Sequence, residues 1–235
     1  MVHMKGVDLA QFQFDYDLTW AAVFINADGT VYGRYGSRSV EGPMVYNSLA
    51  SLKKAMTRVL QLHQNYPANQ ASLLAKNRPV PKWKQAQEIP GLRSRMQKQL
   101  NQAVGPRNCI HCHNIYDGWR NTAYDQGTFS TDDLWIYPLP ENIGLQIEVE
   151  EGNMIAVVEP NSAAALADLQ AGDRIQAANG QPIISIADLQ WVLNGLPTVA
   201  ELQLTIEREG QSLQRTVFLT GNWRQTDISW RASMW

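Results

Sequence analysis

From Trp135 onward the chain is cut into short segments by turns, and this spacing limits the fold more than any other feature of the sequence. Residues 144–149, 154–158, 174–178, 201–207 and 214–219 alternate or run apolar, separated by Glu-Gly-Asn, Asn-Gly-Gln and Glu-Gly-Gln. Strands place successive side chains on opposite faces and glycine supplies turn dihedrals, so the pattern predicts short strands joined tightly. Two helices interrupt them. Ser162 is placed to cap one over residues 163–169, and Ser185 another over residues 186–196, with Leu189, Val192, Leu193 and Leu196 on one side.

Four groups in this region occur in an informative order: Ile143-Gly144-Leu145-Gln146-Ile147, NSAAALADLQAGDRI, Asn179-Gly180-Gln181-Pro182 and SIADLQWVL. Over residues 138–219 they resemble a PDZ domain of the kind found in bacterial periplasmic proteases. The resemblance implies a small β-barrel or sandwich with two helices that binds a peptide or protein C-terminus by strand addition. Ile143 and Gly144 would form the carboxylate-binding loop, the N–H groups of Gly144 and Leu145 would take the carboxylate, and the ligand strand would pair with Gln146 and Ile147. Leu189, Val192 and Leu193 would line the side-chain pocket. A competing assignment makes these three residues core and fills the groove with the protein's own linker, because one helix face must serve both purposes. Ala163 and Asp168 depart from the pattern, standing where such domains often carry Pro and Gly.

Upstream, residues 20–25 and 30–35 are rich in aromatic and β-branched side chains and flank Asn26-Ala27-Asp28-Gly29, which predicts a β-hairpin. From Asn47 the period changes. Leu49, Leu52, Met56, Val59, Leu60 and His63 recur at helical spacing behind an Asn-Ser start, predicting a helix that stops before Pro67. Residues 66–107 are polar, basic and punctuated by Pro67, Pro79, Pro81, Pro90 and Pro106, which reads as a linker carrying one helix over residues 92–104. The hairpin and helix behind FQFDYDLTW resemble the second half of a thioredoxin fold, with Leu18, Thr19 and Trp20 where a cis-proline, a Thr and the fourth strand usually fall. The first half is absent, so a sheet edge is left for another element or for a second copy of the chain, a homodimer. The combination of hairpin, CIHCH, PDZ-like segment and closing GNWRQTDISWRASMW is similar to a bacterial group described as thioredoxin-like/PDZ domain (seleno)proteins, which implies an exported protein, longer at both ends.

Cys109-Ile110-His111-Cys112-His113 holds the only two cysteines. Haem c attachment requires two thiols that add to vinyl groups along one porphyrin edge and a histidine directly behind the second to reach the iron. On this reading Cys109 and Cys112 carry the thioethers, His113 is the metal ligand, and the chain serves electron transfer or haem sensing. The insert is shorter than a usual cytochrome c unit, and the candidate sixth ligands are Met96, Met154 and His63; His63 lies on an apolar helical stripe and Met154 in an expected strand. The runner-up is a redox dithiol: Cys109 follows Pro106 and Arg107 at a helix start, where the helix dipole, a cation and His111 would favour thiolate. CIHC resembles the dipeptide style of strongly oxidising disulfide catalysts, in which, however, the motif follows the first strand of a thioredoxin fold. Zinc would need a second ligand pair that the sequence does not supply, and inert thiols complete the set.

Other constellations are weaker. Asp15 and Asp17 share a face of an expected strand and read as solvated strand-end carboxylates, Asp132-Asp133 as a turn or cap, and Trp223, Trp230 and Trp235 as anchors of the C-terminal stretch on the PDZ-like segment. There is no Gly-rich phosphate loop, HExxH or GxSxG. A net charge of -2 without runs of like charge argues against nucleic acid and anionic membrane surfaces as partners. No segment has the apolar length of a membrane span, and no export leader is legible in the chain. The sequence therefore predicts an α+β protein: a partial thioredoxin-like unit (1–66), a linker with CxxCH (67–135), a PDZ domain (136–222) and an extension (223–235). Covalent haem is attached outside the cytoplasm, so CxxCH implies an extracytoplasmic, periplasmic protein. The alternatives are a thiol-disulfide oxidoreductase using Cys109 and Cys112, or a non-catalytic PDZ adaptor.

Overall fold

The computed structural model describes residues 3–79, 81–103, 105 and 108–234. In chain order the strands are β1 (Ala22–Ile25), β2 (Val31–Tyr35), β3 (Leu145–Ile147), β4 (Ile155–Val158), β5 (Arg174–Ala178), β6 (Gln181–Pro182), β7 (Ala200–Arg208) and β8 (Gln211–Leu219). The α-helices are α1 (Leu49–Gln64), α2 (Gln70–Leu73), α3 (Pro90–Asn101), α4 (Asn114–Asp125), α5 (Ala163–Leu166) and α6 (Ile186–Asn194). Among the described residues no helix is long and apolar enough to cross a membrane.

The chain divides into two compact units, and neither is continuous in sequence. One comprises Met1–Leu18, Asn77–Leu134 and Ile228–Trp235; the other comprises Thr19–Lys76 and Trp135–Asp227. This partition differs from boundaries drawn at residues 66, 135 and 222. The hairpin and α1 share a unit with the PDZ-like segment, whereas both ends of the chain join the CIHCH segment.

In the larger unit, β1 and β2 form the expected antiparallel hairpin, closed by Asn26 N–H to Thr30 C=O (2.8 Å) and Gly29 N–H to Asn26 C=O (3.0 Å). Ser48 and Ser51 cap α1 reciprocally, each side chain accepting from the other's backbone N–H, which satisfies two orphan donors of the first turn. The buried stripe of α1 is rotated from the expected one. Leu52, Ala55, Val59 and Leu62 pack inward with Tyr35 and Ile184, while Leu49, Met56 and Leu60 are exposed. Spacings of three, four and three fit a helix face as well as the expected set did, so the repeat alone left the rotation open.

β3 and β4 pair as a two-stranded sheet, and the other sheet runs β6-β5-β7-β8. Between them lies one apolar cluster that includes Ile143, Leu145, Ile147, Ile175, Leu189, Val192, Leu193, Leu202 and Trp223. Trp223 Nε1 also donates to Thr198 C=O at 2.8 Å, so this tryptophan is the anchor expected of it; Trp230 belongs to the smaller unit and Trp235 lies outside the described residues. Asp168 adopts φ +55°, in the left-handed region where glycine is at home, which accounts physically for the departure noted at this position. Arg208 and Arg215 hold its carboxylate.

Helix α6 is buried on almost every side, and a charged cluster explains how. Lys76 Nζ lies 2.9 Å from Asp188 Oδ2, with the two side chains 1% and 0% exposed. Asp188 also accepts from the N–H groups of Arg34 (3.0 Å) and Ile184 (3.2 Å), and the Arg34 guanidinium lies 3.7 Å above the Trp191 ring. Ser185 Oγ donates to Arg34 C=O. The outer edge of β2 is therefore occupied by the start of α6, and the homodimer expected through an open hairpin edge loses that surface. Gly33 makes the approach feasible, since a Cβ there would stand 2.5 Å from Ile184 Cδ1.

In the smaller unit, α3 crosses α4 where Gly91 meets Gly118, a Cβ on Gly91 falling 2.5 Å from Gly118 C=O. Pro90 opens α3, which leaves helical dihedrals at Met96 (φ -123°, ψ 28°) and ends at Asn101, so the helix starts and stops earlier than expected; Val104 lies outside the described residues. Asp15 and Asp17 are not solvated strand-end carboxylates. Both are buried, with Arg231 Nη1 at 2.8 Å from Asp15 and 3.2 Å from Asp17, and Ser233 donates its N–H and hydroxyl to Asp17. Burial pushes the Asp15 carboxyl upward despite the Arg231 charge.

Replacing Asp188 by Ala leaves a buried ammonium, still donating to Pro182 C=O, without its counter-charge, and two buried N–H groups without their acceptor. The expected loss is about 3–5 kcal/mol of unfolding free energy, measured by chemical denaturation.

Candidate functional site

The outer edge of β3 carries the backbone groups that β4 does not use, and it is covered in this state, Leu145 being 0% and Ile147 5% exposed. Leu145 pairs with Val158 and Ile147 with Ile155. The flanking bonds run from Glu159 N–H to Gly144 C=O (2.9 Å) and from Glu148 N–H to Met154 C=O (2.8 Å). In an antiparallel ladder this makes Leu145 and Ile147 the non-hydrogen-bonded members of their pairs, with N–H and C=O directed away from β4. Gln146 is directed the other way, toward Val157. Among the described residues β3 has no strand on its outer edge. The backbone groups offered to a ligand strand are thus those of Leu145 and Ile147, where Gln146 and Ile147 were expected.

The loop before β3 is closed. Pro140–Ile143 forms a 3-10 turn, and Gly144 N–H donates to Glu141 C=O at 3.0 Å, so of the two expected carboxylate donors only Leu145 N–H faces the edge. Gly144 has φ +87°, and a Cβ there would stand 2.1 Å from Ser162 Cβ; both facts require glycine. Ile143, Leu145 and Ile147 turn their side chains into the core. Leu189, Val192 and Leu193 do so too, none more than 4% exposed, so their core assignment holds in this state.

A segment of the same unit reaches this loop. Tyr46 packs against the apolar cluster and donates to Glu141 Oε1 at 2.9 Å, and Ser37 Oγ donates to Gln190 on α6 at 2.6 Å. Asn47 Nδ2 ties the two ends together by donating to Ser37 C=O and Pro43 C=O, both at 2.7 Å. Desolvation, reinforced by the Glu141 carboxylate, pushes the Tyr46 hydroxyl well above the usual phenol range. Residues 37–47 therefore run from one groove wall to the loop. Only the spacing of turn residues hinted at this segment, and its position escaped sequence reasoning.

The second candidate site is CIHCH. Ile110 is fully buried and accepts from Met4 N–H at 2.9 Å, which fixes the segment in its unit. Ile115 N–H donates to Cys112 C=O (3.0 Å) and His111 N–H to Asn114 Oδ1 (2.9 Å), so α4 starts directly behind His113. His113 Nδ1 lies 3.4 Å from Asp117 Oδ2, one helical turn on, and 3.5 Å from Asn114 Nδ2. Cys109 and Cys112 are half-buried thiols. The chemistry of this set fits haem c: two half-buried thiols and a histidine directly behind the second. Of the expected sixth ligands, Met96 shares the compact unit; Met154 and His63 belong to the other, where His63 Nδ1 meets the Tyr32 hydroxyl at 2.7 Å.

The dithiol alternative places its reactive thiolate on Cys109, and burial raises the thiol of the second cysteine, Cys112. Pro106 and Arg107, part of that argument, lie outside the described residues. Among the described residues no three His, Cys, Asp or Glu side chains converge as metal ligands, so zinc lacks its set.

Comparison with known proteins bears on the first site. A family model described as PDZ domain matches residues 142–219. The chain is 35% identical over 69 residues to periplasmic serine endoprotease DegP of Salmonella typhimurium, covering 29% of this chain and 14% of that protein. It is 38% identical over 79 residues to a probable periplasmic serine endoprotease DegP-like of Pseudomonas savastanoi pv. phaseolicola, covering 34% and 16%. A crystal structure of the serine endoprotease from Yersinia pestis matches with 24% identity and a TM-score of 0.30, over 33% of this chain and 28% of that one. The chain thus spans a small part, 14–16%, of the curated relatives it matches. Residues 142–219 form a PDZ domain of the type found in these proteins.

With Cys109 replaced by Ser, the rate of Cys112 alkylation by iodoacetamide should rise with pH to a midpoint above the ordinary thiol value of about 8.5.

Proposed function

We propose that the PDZ domain binds an extended peptide or protein C-terminus as an added strand on β3. The outward N–H and C=O groups of Leu145 and Ile147 carry this reading: they form a short, unpartnered edge beside an apolar cluster. Leu145 N–H is the loop donor for the terminal carboxylate, and Tyr46 with residues 37–47 is the segment a ligand displaces to reach Leu189, Val192 and Leu193. The matched relatives are named as periplasmic, which supports an extracytoplasmic location in a bacterium. The hairpin leading into α1 supports reading this part as the closing half of a thioredoxin-like unit, used as a scaffold around α6. The whole is then a docking protein whose PDZ domain captures a partner.

A second reading concerns CIHCH, and the two thiols with His113 directly behind the second, at the start of α4, favour it. Cys109 and Cys112 would hold haem c by thioether bonds and His113 Nε2 would be the axial ligand; when bound, the group supplies one-electron transfer. A chain exported together with the haem-attachment system should gain the mass of one haem, and Cys112→Ser should not retain full attachment, as read by intact mass and the reduced optical spectrum.

Strand addition is tested with an apolar-ended heptapeptide carrying a free carboxylate, titrated against the intact chain. Methylating those peptide N–H groups that face β3 should weaken binding about tenfold per group, whereas methylating the alternate ones should leave it within about twofold. Equal losses at both sets would contradict strand addition.

A further inference from the structure

The smaller unit holds a cavity that neither reading above uses. It is an open cleft of about 530 Å³ between α3, α4 and residues 129–134, a volume suited to a small molecule. Asp117, Arg120, Asn121 and Tyr124 line it from α4, at helical spacings that put them on one face. His113 is one turn earlier on that face.

The lining has a definite chemical character. Leu92, Met96 and Leu134 make the apolar wall. Tyr124 and Phe129 stack with ring centroids 4.1 Å apart and planes within 18°, and Tyr124 is exposed, so the pair offers a flat aromatic surface instead of a buried contact. Arg95 and Arg120 also line the cavity, against one carboxylate, Asp117. That carboxylate is already shared by Asn114 Nδ2 (3.0 Å), His113 Nδ1 (3.4 Å) and Arg120 Nη2 (3.9 Å), while Arg95 is exposed at the rim. The α3 wall departs from helical dihedrals at Met96, inside the lining, so the helix does not close over the space.

We propose that this cavity binds a small planar aromatic acid. Its ring would lie on the Tyr124–Phe129 pair and the apolar wall, where stacking is favourable, and its carboxylate would meet the exposed guanidinium of Arg95, whose planar donors match an acid group. The site lies outside the PDZ domain, and it shares Asp117 and Met96 with the surroundings of CIHCH.

The probe is 2-naphthoate, titrated calorimetrically into the full chain, with 2-naphthamide as the neutral counterpart of the same shape. Saturable one-to-one binding, at least about tenfold tighter for the acid than for the amide, is expected. Arg95→Gln and Tyr124→Ala change exposed side chains, so each should weaken naphthoate severalfold at an unchanged thermal midpoint. Absence of saturable binding, equal affinity for acid and amide, or indifference to both variants would overturn the assignment.

Discussion

The carboxylate of Asp188 is the point on which the larger unit depends. It is a fully buried charge on α6, and a buried charge is tolerable only when every lone pair finds a donor. Here Lys76 supplies the counter-charge, while the N–H groups of Arg34 and Ile184 complete the coordination. Those donors come from the hairpin, from the end of the segment behind α1 and from the turn before α6 itself. One carboxylate thus obliges three distant stretches of chain to meet, and the stacked pair of Arg34 and Trp191 then closes the same space.

Clamping α6 in this way has a functional consequence. The helix that walls a PDZ groove is held on its outer side by β2 and on its inner side by the core, so it is poorly placed to move toward or away from a ligand. What can adapt is the opposite wall: the short β3 edge and residues 37–47 that reach the loop at Glu141. On the proposed reading, recognition is by backbone pairing at a rigid groove, with Tyr46 competing for the apolar end. The smaller unit is organised by a comparable device, since Arg231 gathers Asp15 and Asp17 and so joins the two ends of the chain around the CIHCH segment.

The sequence reveals elements defined by local chemistry. The PDZ strands and caps at Ser162 and Ser185, the hairpin at Asn26–Gly29 and the start of α1 all follow from turn residues, caps and periodicity within a few positions. Features made by distant pairing are illegible there. Lys76 sits in a polar, proline-punctuated stretch that reads as linker, and nothing near it announces Asp188. Asp15 and Asp17 look like solvated carboxylates until Arg231, more than two hundred residues away, is brought beside them. Likewise, residue type marked Gly144 as special, but only strand register shows that Leu145 and Ile147, and not Gln146, present their backbone groups outward.

Amide resonances report on that register directly. The decisive measurement is a titration of the nitrogen-15-labelled chain with an apolar-ended peptide, following amide shifts and solvent exchange residue by residue. The account predicts that Leu145 and Ile147 shift and become protected while Gln146, already paired with Val157, keeps its exchange rate. Saturable binding that perturbs other surfaces and leaves Leu145 and Ile147 unchanged would contradict it.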